Sequence, residues 1–486
     1  MTTRMLIERV ADFASFSRAL AAGRTLPFTP LNLAHIYVKL DFDPAHENAR
    51  TADDARGFLK SVARASVAAS LLAERYGGAL LEVQGSMLHA AVPSRGTVVR
   101  EFAADLHGIY RAVFNDSRRR VRGWRMAADS GRTLVVAGRG VHGDSSFVSL
   151  GKAANRPAKH IYAQLELAEE RRSLRRYCLG VRDASSDRWQ HVELDSLPQR
   201  LNEARAIAET ARTTDPQMDF LPGLRAQQQR VTARAAPLPP AGAPTTPTAD
   251  RPITYFGWVM RCDLDGFTSR VEECFDNDAK LQELAEQFYG IMEEAAQFVT
   301  RHGELMAQLP WAGDNFTAAV LRDSKDDYDQ AIPRRLVELP LDFEKDMADT
   351  AKRCGFGGWA HAVAGGEVHG NSNGNVYLGS VILGDRRFLV GVGEGFGRST
   401  QAFADISPKP QVVVVYEPDW ARLDDSYKKV FEPAITVRGE QSSLYRVANV
   451  VGLLRVRAKR DSIAIPTTVT VAPHRSQQVS TRPYSR

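Results

Sequence analysis

The sequence lacks the features that mark secreted and membrane proteins. Only four of its 486 residues are cysteine and none forms a Cys-x-x-Cys pair, which argues against a zinc site and is typical of a reducing cytoplasm. No apolar run approaches the ~20 residues that a membrane-spanning helix needs, so we expect no membrane span. Residues 1–24 carry acidic side chains within their apolar pattern, which predicts an amphipathic helix and not a secretory signal.

The chain also lacks a strong charge of either sign. It has 63 lysines and arginines against 58 aspartates and glutamates, for a formal net charge of +5. Basic clusters at residues 118–120 and 171–176 have no aromatic residues at a spacing suited to stacking on bases. We therefore interpret them as solvated surfaces and expect no nucleic-acid partner. A mildly basic chain still suits an anionic small molecule.

The length favours two or three domains. We predict an N-terminal helix over residues 1–30, a first domain over 31–225 and a second domain over 253–465. Residues 226–252 between them are rich in Pro, Ala and Thr, which cannot build a core and predict a semi-extended linker. The polar residues 466–486 are predicted to be a disordered tail.

The two domains repeat one order of elements. In each, an apolar strand ends at an Asp-x-Asp sequence, 41–43 in the first domain and 263–265 in the second. A long amphipathic helix follows, then a glycine stop and a strand that passes Gly85-Ser86 or Gly313-Asp314. We place these helices at about residues 52–75 and 278–301. Alternating strands and helices predict an α+β or α/β layering with helices packed on a sheet.

Two carboxylates in the second domain point to metal and phosphate chemistry. Asp263 and Asp314 each stand at the end of an apolar strand, and Gly266-Phe267-Thr268 opens a helix beside the first. Magnesium and manganese need only one or two protein carboxylates when substrate phosphates complete the shell. The N–H groups of a helix N-terminus favour phosphate oxygens. An isolated Asp-Leu-Asp-Gly turn is common, so the prediction depends on all of these features occurring together.

The order Asp-x-x-Gly-Phe-Thr, helix, Gly-Asp resembles the catalytic domain of class III nucleotidyl cyclases. That resemblance implies an α+β fold of tandem cyclase-like domains, with ferredoxin-like βαββαβ sheets and helices on one face, forming a pseudo-symmetric pair. It also implies two divalent cations, Mn or Mg, held by Asp263, Asp314 and the Leu264 carbonyl. The triphosphate would bind across Gly266, Phe267 and Thr268.

The first domain departs from this pattern. We align Asp41 with the first metal ligand, but Ser86 stands where the second carboxylate is expected and Pro44-Ala45-His46 replaces Gly-Phe-Thr. Serine is a poor ligand for a hard cation, and proline removes an N–H that a phosphate turn needs. We therefore predict that the first domain does not hold the metal pair.

A second signature lies in the first domain instead. Gly151, Asn155 and Lys159 resemble the cyclase segment in which an asparagine orients the ribose and a basic residue stabilises the transition state. Asn155 and Lys159 are four residues apart and share a helix face, although lysine replaces the usual arginine and loses its bidentate fork. In the second domain we place Glu394 at the asparagine position. The resemblance thus implies one active site, built from complementary halves.

Base specificity is the least determined feature. The positions that read adenine in purine cyclases carry Glu82 and Val148 here, which fit neither the adenine nor the guanine arrangement. The chain resembles the Pycsar antiphage uridylate cyclases, which implies conversion of UTP to 3′,5′-cyclic UMP and pyrophosphate, and a separate effector protein that reads the product. Lys152 is a candidate donor to a uracil carbonyl. Cytidylate, adenylate and guanylate cyclases, a non-catalytic nucleotide-binding pseudo-cyclase and a homodimer with its site between chains stay open as alternatives.

Overall fold

A computed structural model describes residues 31–43, 49–115, 121–139, 145–171, 177–183, 188–198, 204–214, 253–302, 304–366, 368, 374–383 and 386–464. The predicted N-terminal helix, linker and tail lie outside the described residues, as does the predicted turn at residues 44–46. Those assignments and the domain boundaries therefore stay predictions. Within the described part of the chain, no helix is long and apolar enough to cross a membrane.

The first half forms a mixed sheet with helices packed on it. Its elements in chain order are β1 (Leu31–Phe42), α1 (Ala52–Arg75), β2 (Ala79–Gln84), β3 (Met87–Pro93), α2 (Val98–Phe114), β4 (Val121–Arg139), β5 (Ser145–Leu150), α3 (Lys152–Arg171), β6 (Tyr177–Asp183), β7 (Arg188–Glu193), a short 3-10 turn (Leu194–Ser196) and α4 (Ala204–Thr213). The strands are ordered β2-β3-β1-β4-β6-β7, with β5 paired to β4.

The second half repeats this plan with additions at its end. Its elements are β8 (Ile253–Leu264), α5 (Phe267–Cys274), α6 (Asp278–Arg301), β9 (Met306–Gln308), β10 (Asn315–Arg322), α7 (Lys325–Arg353), β11 (Trp359–Ala364), β12 (Val376–Leu383), β13 (Arg386–Val392), α8 (Glu394–Ile406), β14 (Val412–Tyr416), α9 (Glu417–Trp420), α10 (Asp425–Lys428), β15 (Glu432–Ile435), β16 (Gln441–Asn449) and α11 (Val450–Ala464). The strands are ordered β13-β12-β8-β11-β14-β16-β15, and β10 joins β8 to β9.

The long helix after the first strand shows how closely the halves correspond. Both α1 and α6 have 24 residues and run between the predicted bounds. Each helix is preceded by a polar residue whose side chain accepts a hydrogen bond from the backbone N–H of the third helical residue. Thr51 accepts from Asp54 at 3.1 Å, and Asn277 accepts from Lys280 at 3.0 Å. Such caps satisfy donors that have no partner inside the helix. Both strands predicted to pass a glycine pair differ, because Gly85-Ser86 lies in the turn between β2 and β3 and Gly313-Asp314 lies in the turn before β10.

Each half inserts a hairpin into the core of the other. On the β12–β13 hairpin, six buried side chains join the hydrophobic core of the first half: Tyr377, Val381, Leu383, Phe388, Val390 and Val392. On the end of β4 and on β5, four buried side chains join the core of the second half: Leu134, Val136, Val148 and Leu150. Burial of apolar area is the main stabilising contribution to such contacts. The two halves are therefore packed as one reciprocal pair.

Candidate functional site

Two carboxylates meet where β8 ends and β10 begins. Asp263 lies opposite Asn315 in the antiparallel register, and the Leu264 N–H approaches the Asp314 carbonyl at 3.4 Å. Side chains alternate between the faces of a strand. Met260, Cys262 and Leu264 are buried in the core beneath the sheet, so Asp263 and Arg261 share the opposite face. The structure thus brings the two predicted metal ligands together.

Burial and mutual repulsion disfavour the charged forms of these carboxyl groups. The pKa of Asp263 is raised to about 6, mainly by burial, against the opposing charge of Arg261. Burial first, and then the charge of Asp263, raise the pKa of Asp314 well above its usual range. The charge of Lys159, from the first half, lowers both pKa values. The Asn315 amide also donates to Asp314 Oδ1 at 3.4 Å.

These residues fit a cation that arrives with its own oxygen ligands. A divalent ion beside Asp263 and Asp314 would offset their mutual repulsion, which Lys159 only partly offsets. Across the described residues, no group of three or more His, Cys, Asp and Glu side chains could hold a metal ion. Phosphate oxygens would therefore have to complete the shell, as is usual for magnesium.

The predicted phosphate turn lies beside the first carboxylate. Gly266 adopts φ +81°, a conformation that favours glycine, and precedes the first turn of α5. Phe267 fixes this turn by packing in the core, 5.0 Å from the Phe288 ring centroid. The Asp265 N–H donates to the Gly358 carbonyl at 3.0 Å. Backbone donors of this first turn are consequently held near Asp263.

Helix α3 supplies the first half's contribution. Gly151 starts it at a close contact, since a Cβ there would lie 2.8 Å from the Arg132 carbonyl oxygen. Asn155 and Lys159 are four residues apart on this helix, the first half-buried and the second exposed. Lys159 Nζ donates to Thr268 Oγ1 at 3.4 Å. Lys159 therefore reaches the phosphate turn and both carboxylates of the other half, while Asn155 lies one helical turn earlier.

Strand register corrects the predicted counterpart of Asp263 in the first half. Leu40 lies opposite Trp124 on β4 and Leu264 lies opposite Trp359 on β11, so Leu40 and Leu264 are equivalent. The residue before Leu40 is Lys39. Asp41 follows it and corresponds to Asp265, so its alignment with the first metal ligand was wrong.

At the position of the second carboxylate, the structure agrees with the sequence alignment. The Leu40 N–H donates to the Ser86 carbonyl at 2.8 Å, as the Leu264 N–H does to the Asp314 carbonyl at 3.4 Å. Ser86 therefore stands at the place of Asp314, and Lys39 Nζ donates to Ser86 Oγ. An ammonium group occupies the place where the second half has its carboxylates. Asp41 instead forms an ion pair with Arg125 at 3.2 Å.

Helix α8 also needs a correction. A Cβ at Gly393 would lie 2.4 Å from the Asn375 carbonyl oxygen, the same close contact that Gly151 makes at the start of α3. Counted from these glycines, Gly397 corresponds to Asn155 and Gln401 to Lys159, so the placement of Glu394 was wrong by three residues. Glu394 is the first residue of α8 and binds Arg398 Nε at 3.2 Å. The asparagine and the basic residue are both missing from the second half.

Glu82 lies at the contact between the halves. It follows a β-bulge on β2, a feature that re-aims side chains. Arg386 of the second half donates to the Leu80 carbonyl at this bulge, at 2.5 Å. Glu82 is 5% exposed. Burial raises the pKa of Glu82 to about 8, and the charge of Arg261 across the contact opposes this rise.

The other two base candidates are differently placed. Val148 is buried in the core of the second half, and Lys152 Nζ lies 5.4 Å from the Phe275 ring centroid. Sequence reasoning missed Arg261 and Asn315. The alternation of β8 was the available signal for Arg261, because it shares a face with Asp263.

Comparisons with known proteins bear on the fold. The sequence matches no protein-family model, and it matches none of the curated proteins. The structure is similar to a class III adenylyl cyclase-like ATP-binding protein from Pseudomonas aeruginosa, with 12% sequence identity, a TM-score of 0.57, and coverage of 88% of this chain and 90% of that chain. This likeness over both halves confirms the predicted α+β fold, a tandem pair of class III cyclase-like domains.

Two further structures match about one half of the chain. They are the guanylyl cyclase Cya2 and the adenylyl cyclase CyaB from P. aeruginosa, each with 13% identity and a TM-score of 0.28. Each match covers 40% of this chain. The matches cover 90% of the Cya2 chain and 92% of the CyaB chain.

Proposed function

We propose that this protein is a nucleotidyl cyclase that converts a nucleoside triphosphate to a 3′,5′-cyclic nucleotide and pyrophosphate. The observation that carries the proposal is Lys159. It comes from the first half, yet its ammonium group contacts Thr268 and lowers the pKa values of both Asp263 and Asp314. Carboxylates for metal, backbone donors for phosphate and a cation for the transferring phosphorus therefore occupy one cleft between the halves.

The residues of this cleft each have a part in the reaction. The substrate 3′-oxygen attacks the α-phosphorus, the bond to pyrophosphate breaks, and the hydroxyl proton leaves to solvent. Asp263 and Asp314, with the Leu264 carbonyl, would hold two divalent cations, Mg or Mn. When bound with the triphosphate, these ions lower the pKa of the attacking hydroxyl and neutralise the leaving group.

Positioning and fixed charge supply the rest of the acceleration. The first turn of α5, from Gly266 through Thr268, holds the phosphates by backbone N–H groups. Asn155 orients the ribose, and Lys159 stabilises the charge that develops on the phosphate. Lysine gives a point charge where arginine would give a two-pronged contact.

For the base, we propose uracil. Glu82 and Arg261 face each other across the contact between the halves. An acceptor and a cationic donor suit an edge on which an N–H adjoins a carbonyl, as at N3 and O4 of uracil. Arg261 takes the donor role that the sequence assigned to Lys152. The sequence resemblance extends the proposal to UTP as the substrate, and to a cyclic UMP messenger read by a separate effector in antiphage defence.

A second candidate function is nucleotide binding without turnover. The similar structure from P. aeruginosa is named as an ATP-binding protein and not as a cyclase. Retention of both Asp263 and Asp314 favours catalysis, because binding a nucleotide does not require a pair of repelling carboxylates. Either function uses the same cleft.

One competition experiment tests both candidates. The purified protein is incubated with equal ATP, GTP, CTP and UTP and with manganese, and the products are identified by mass spectrometry. We expect cyclic UMP first, with CTP the nearest competitor. Production of cyclic AMP or cyclic GMP without cyclic UMP would refute the base assignment but not the cyclase. Binding of a nucleotide without any cyclic product would favour the second candidate.

A further inference from the structure

A line of buried polar side chains crosses the first-half sheet and ends at the cleft. Thr133 Oγ1 lies 2.9 Å from His35 Nε2, and His35 Nδ1 lies 2.9 Å from His89 Nε2. His89 Nδ1 then faces Glu82 Oε2 at 3.6 Å. Thr133 and His35 are 0% exposed, His89 2% and Glu82 5%. Of these four residues, only Glu82 is placed at the proposed base-binding site.

The packing around this line of side chains leaves His89 and Glu82 little conformational freedom. The His89 ring stacks on Tyr37, with centroids 4.0 Å apart and an interplanar angle of 12°, which fixes the plane of the ring, and the contact of its Nε2 with His35 orients the ring within that plane. The β-bulge before Glu82 is held from the second half by Arg386. Glu82 Oε1 is buried and has no hydrogen-bond partner in the part of the chain that the structure describes. A buried polar atom without a partner is costly, which indicates that a ligand satisfies it.

The positions of the protons along this line of side chains determine whether Glu82 donates or accepts a hydrogen bond. Burial raises the pKa of Glu82 to about 8 and lowers the pKa of His89 to about 3, so the pair is neutral near pH 7. A neutral carboxyl can direct its Oε2 proton towards His89 Nδ1, which lies 3.6 Å away. His89 Nε2–H then donates to His35 Nδ1, and His35 Nε2–H donates to Thr133. In this direction each contact uses one proton, and Oε1 is left as an uncharged carbonyl acceptor.

We propose that His35 and His89 are positioning residues for Glu82: they fix the orientation of its buried carboxyl, so that Oε1 accepts a hydrogen bond from an N–H group of the nucleobase. This rests on the proposed function for the identity of the ligand as a nucleotide. Arg261 of the second half faces the same carboxyl and adds a cationic donor beside it. The pocket consequently selects a base edge on which an N–H lies beside a carbonyl oxygen.

Three variants of the full-length protein test whether the line from Thr133 through His35 and His89 positions Glu82. His89→Phe keeps the ring packing on Tyr37 and removes both nitrogens, while His89→Asn restores one polar group near the Nδ1 position. His107→Phe is the matched control, since His107 is another buried histidine of the first half, bonded to Asp195 and Trp124 away from the chain. Urea unfolding identifies any variant that fails to fold.

The first readout is kinetic. We expect His89→Phe to raise KM for UTP about tenfold, as for loss of one well-placed hydrogen bond, with kcat little changed. His89→Asn should recover part of this, and His107→Phe should leave KM unchanged. An unchanged KM in His89→Phe would overturn the inference, as would a fall in kcat alone.

The second readout does not depend on turnover. The infrared carbonyl band of a buried, protonated carboxyl is assigned by its loss in Glu82→Gln. We expect the band at neutral pH, a shift on adding UTP, and a different position in His89→Phe. Absence of the band, or a band that responds to none of the four nucleotides, overturns the inference. A band that responds to UTP without formation of a cyclic product supports it and refutes the cyclase proposal, so the two failures are distinguishable.

Discussion

Replacing Glu82 by glutamine should change how stability depends on pH. The Glu82 carboxyl is buried between the halves, and its pKa rises from an ordinary 4.5 to about 8. A raised folded-state pKa means that the folded protein binds the proton more tightly than the unfolded chain does. The stabilisation is complete below about pH 4.5 and is lost as the pH rises through about 8. Glutamine has no proton to lose at this position.

The size of the effect follows from the shift. The full cost of keeping the ionised Glu82 carboxylate buried is about 5 kcal/mol at high pH. Between about pH 5 and about pH 8, the difference in unfolding free energy between Glu82→Gln and the wild type should grow by about 3 kcal/mol in favour of the variant. For a cooperative unit of about 400 residues that is roughly 3 °C in Tm.

The measurement is urea unfolding of both proteins at a series of pH values. Asp263 and Asp314 also have raised pKa values, but they are present in both proteins and cancel in the difference. Glu209→Gln, at an exposed position of α4, is the control for removing one charge, and its curve should run parallel to the wild type. If the curves of Glu82→Gln and the wild type are also parallel, Glu82 is not buried in the cleft and the reasoning about the base pocket fails.

Three further predictions concern the cleft. Asp263→Ala and Asp314→Ala should each abolish cyclisation in Mn or Mg with the fold retained, because a metal ligand contributes several kcal/mol to the transition state; activity within about tenfold of wild type, about 1.4 kcal/mol, contradicts the assignment. Lys159→Ala should lower kcat far more than it raises KM, while Gln401→Ala at the equivalent position of α8 should be nearly silent; the opposite pattern would place the active site between two chains. Lys39→Met should leave turnover within a few fold of wild type, since the Lys39 site has no metal carboxylates, and a large loss in steady-state assays would refute the inactive status of that site.

Local sequence patterns were sufficient for the elements and for their repetition. The bounds of α1 and α6 were predicted from hydrophobic periodicity ending at a glycine, and the caps that precede them are local signals as well. Asp263 and Asp314 were found for the same reason, since each stands at one end of an apolar strand, Asp263 at the end of β8 and Asp314 just before β10. The meeting of these residues with Lys159 needed the resemblance to a tandem fold, because no local pattern joins residues that distant.

Strand register could not be predicted from local sequence patterns. Asp41-Phe42-Asp43 looks like Asp263-Leu264-Asp265, yet the pairing of Leu40 with Trp124 shifts the first half by two residues. A shift of two keeps every side chain on its face, so the hydrophobic alternation of β1 is the same in both alignments. Only the cross-strand partners distinguish them. The bulge that aims Glu82 is likewise a product of pairing with β3 and of Arg386 from the other half.

The corrected register also explains why the duplicated halves do not form two equivalent sites. In the first half, the Lys39 ammonium group stands at the position of Asp263 and bonds to Ser86, so this place carries its own positive charge. In the second half, Asp263 and Asp314 repel each other; Lys159 offsets this repulsion in part, and an external cation would offset it further. A lysine ammonium group in one place and a carboxylate pair in the other would direct a metal ion to the second half. In the proposed cyclase, the first half would then present Lys159 and Glu82 to a substrate whose phosphates the second half would hold.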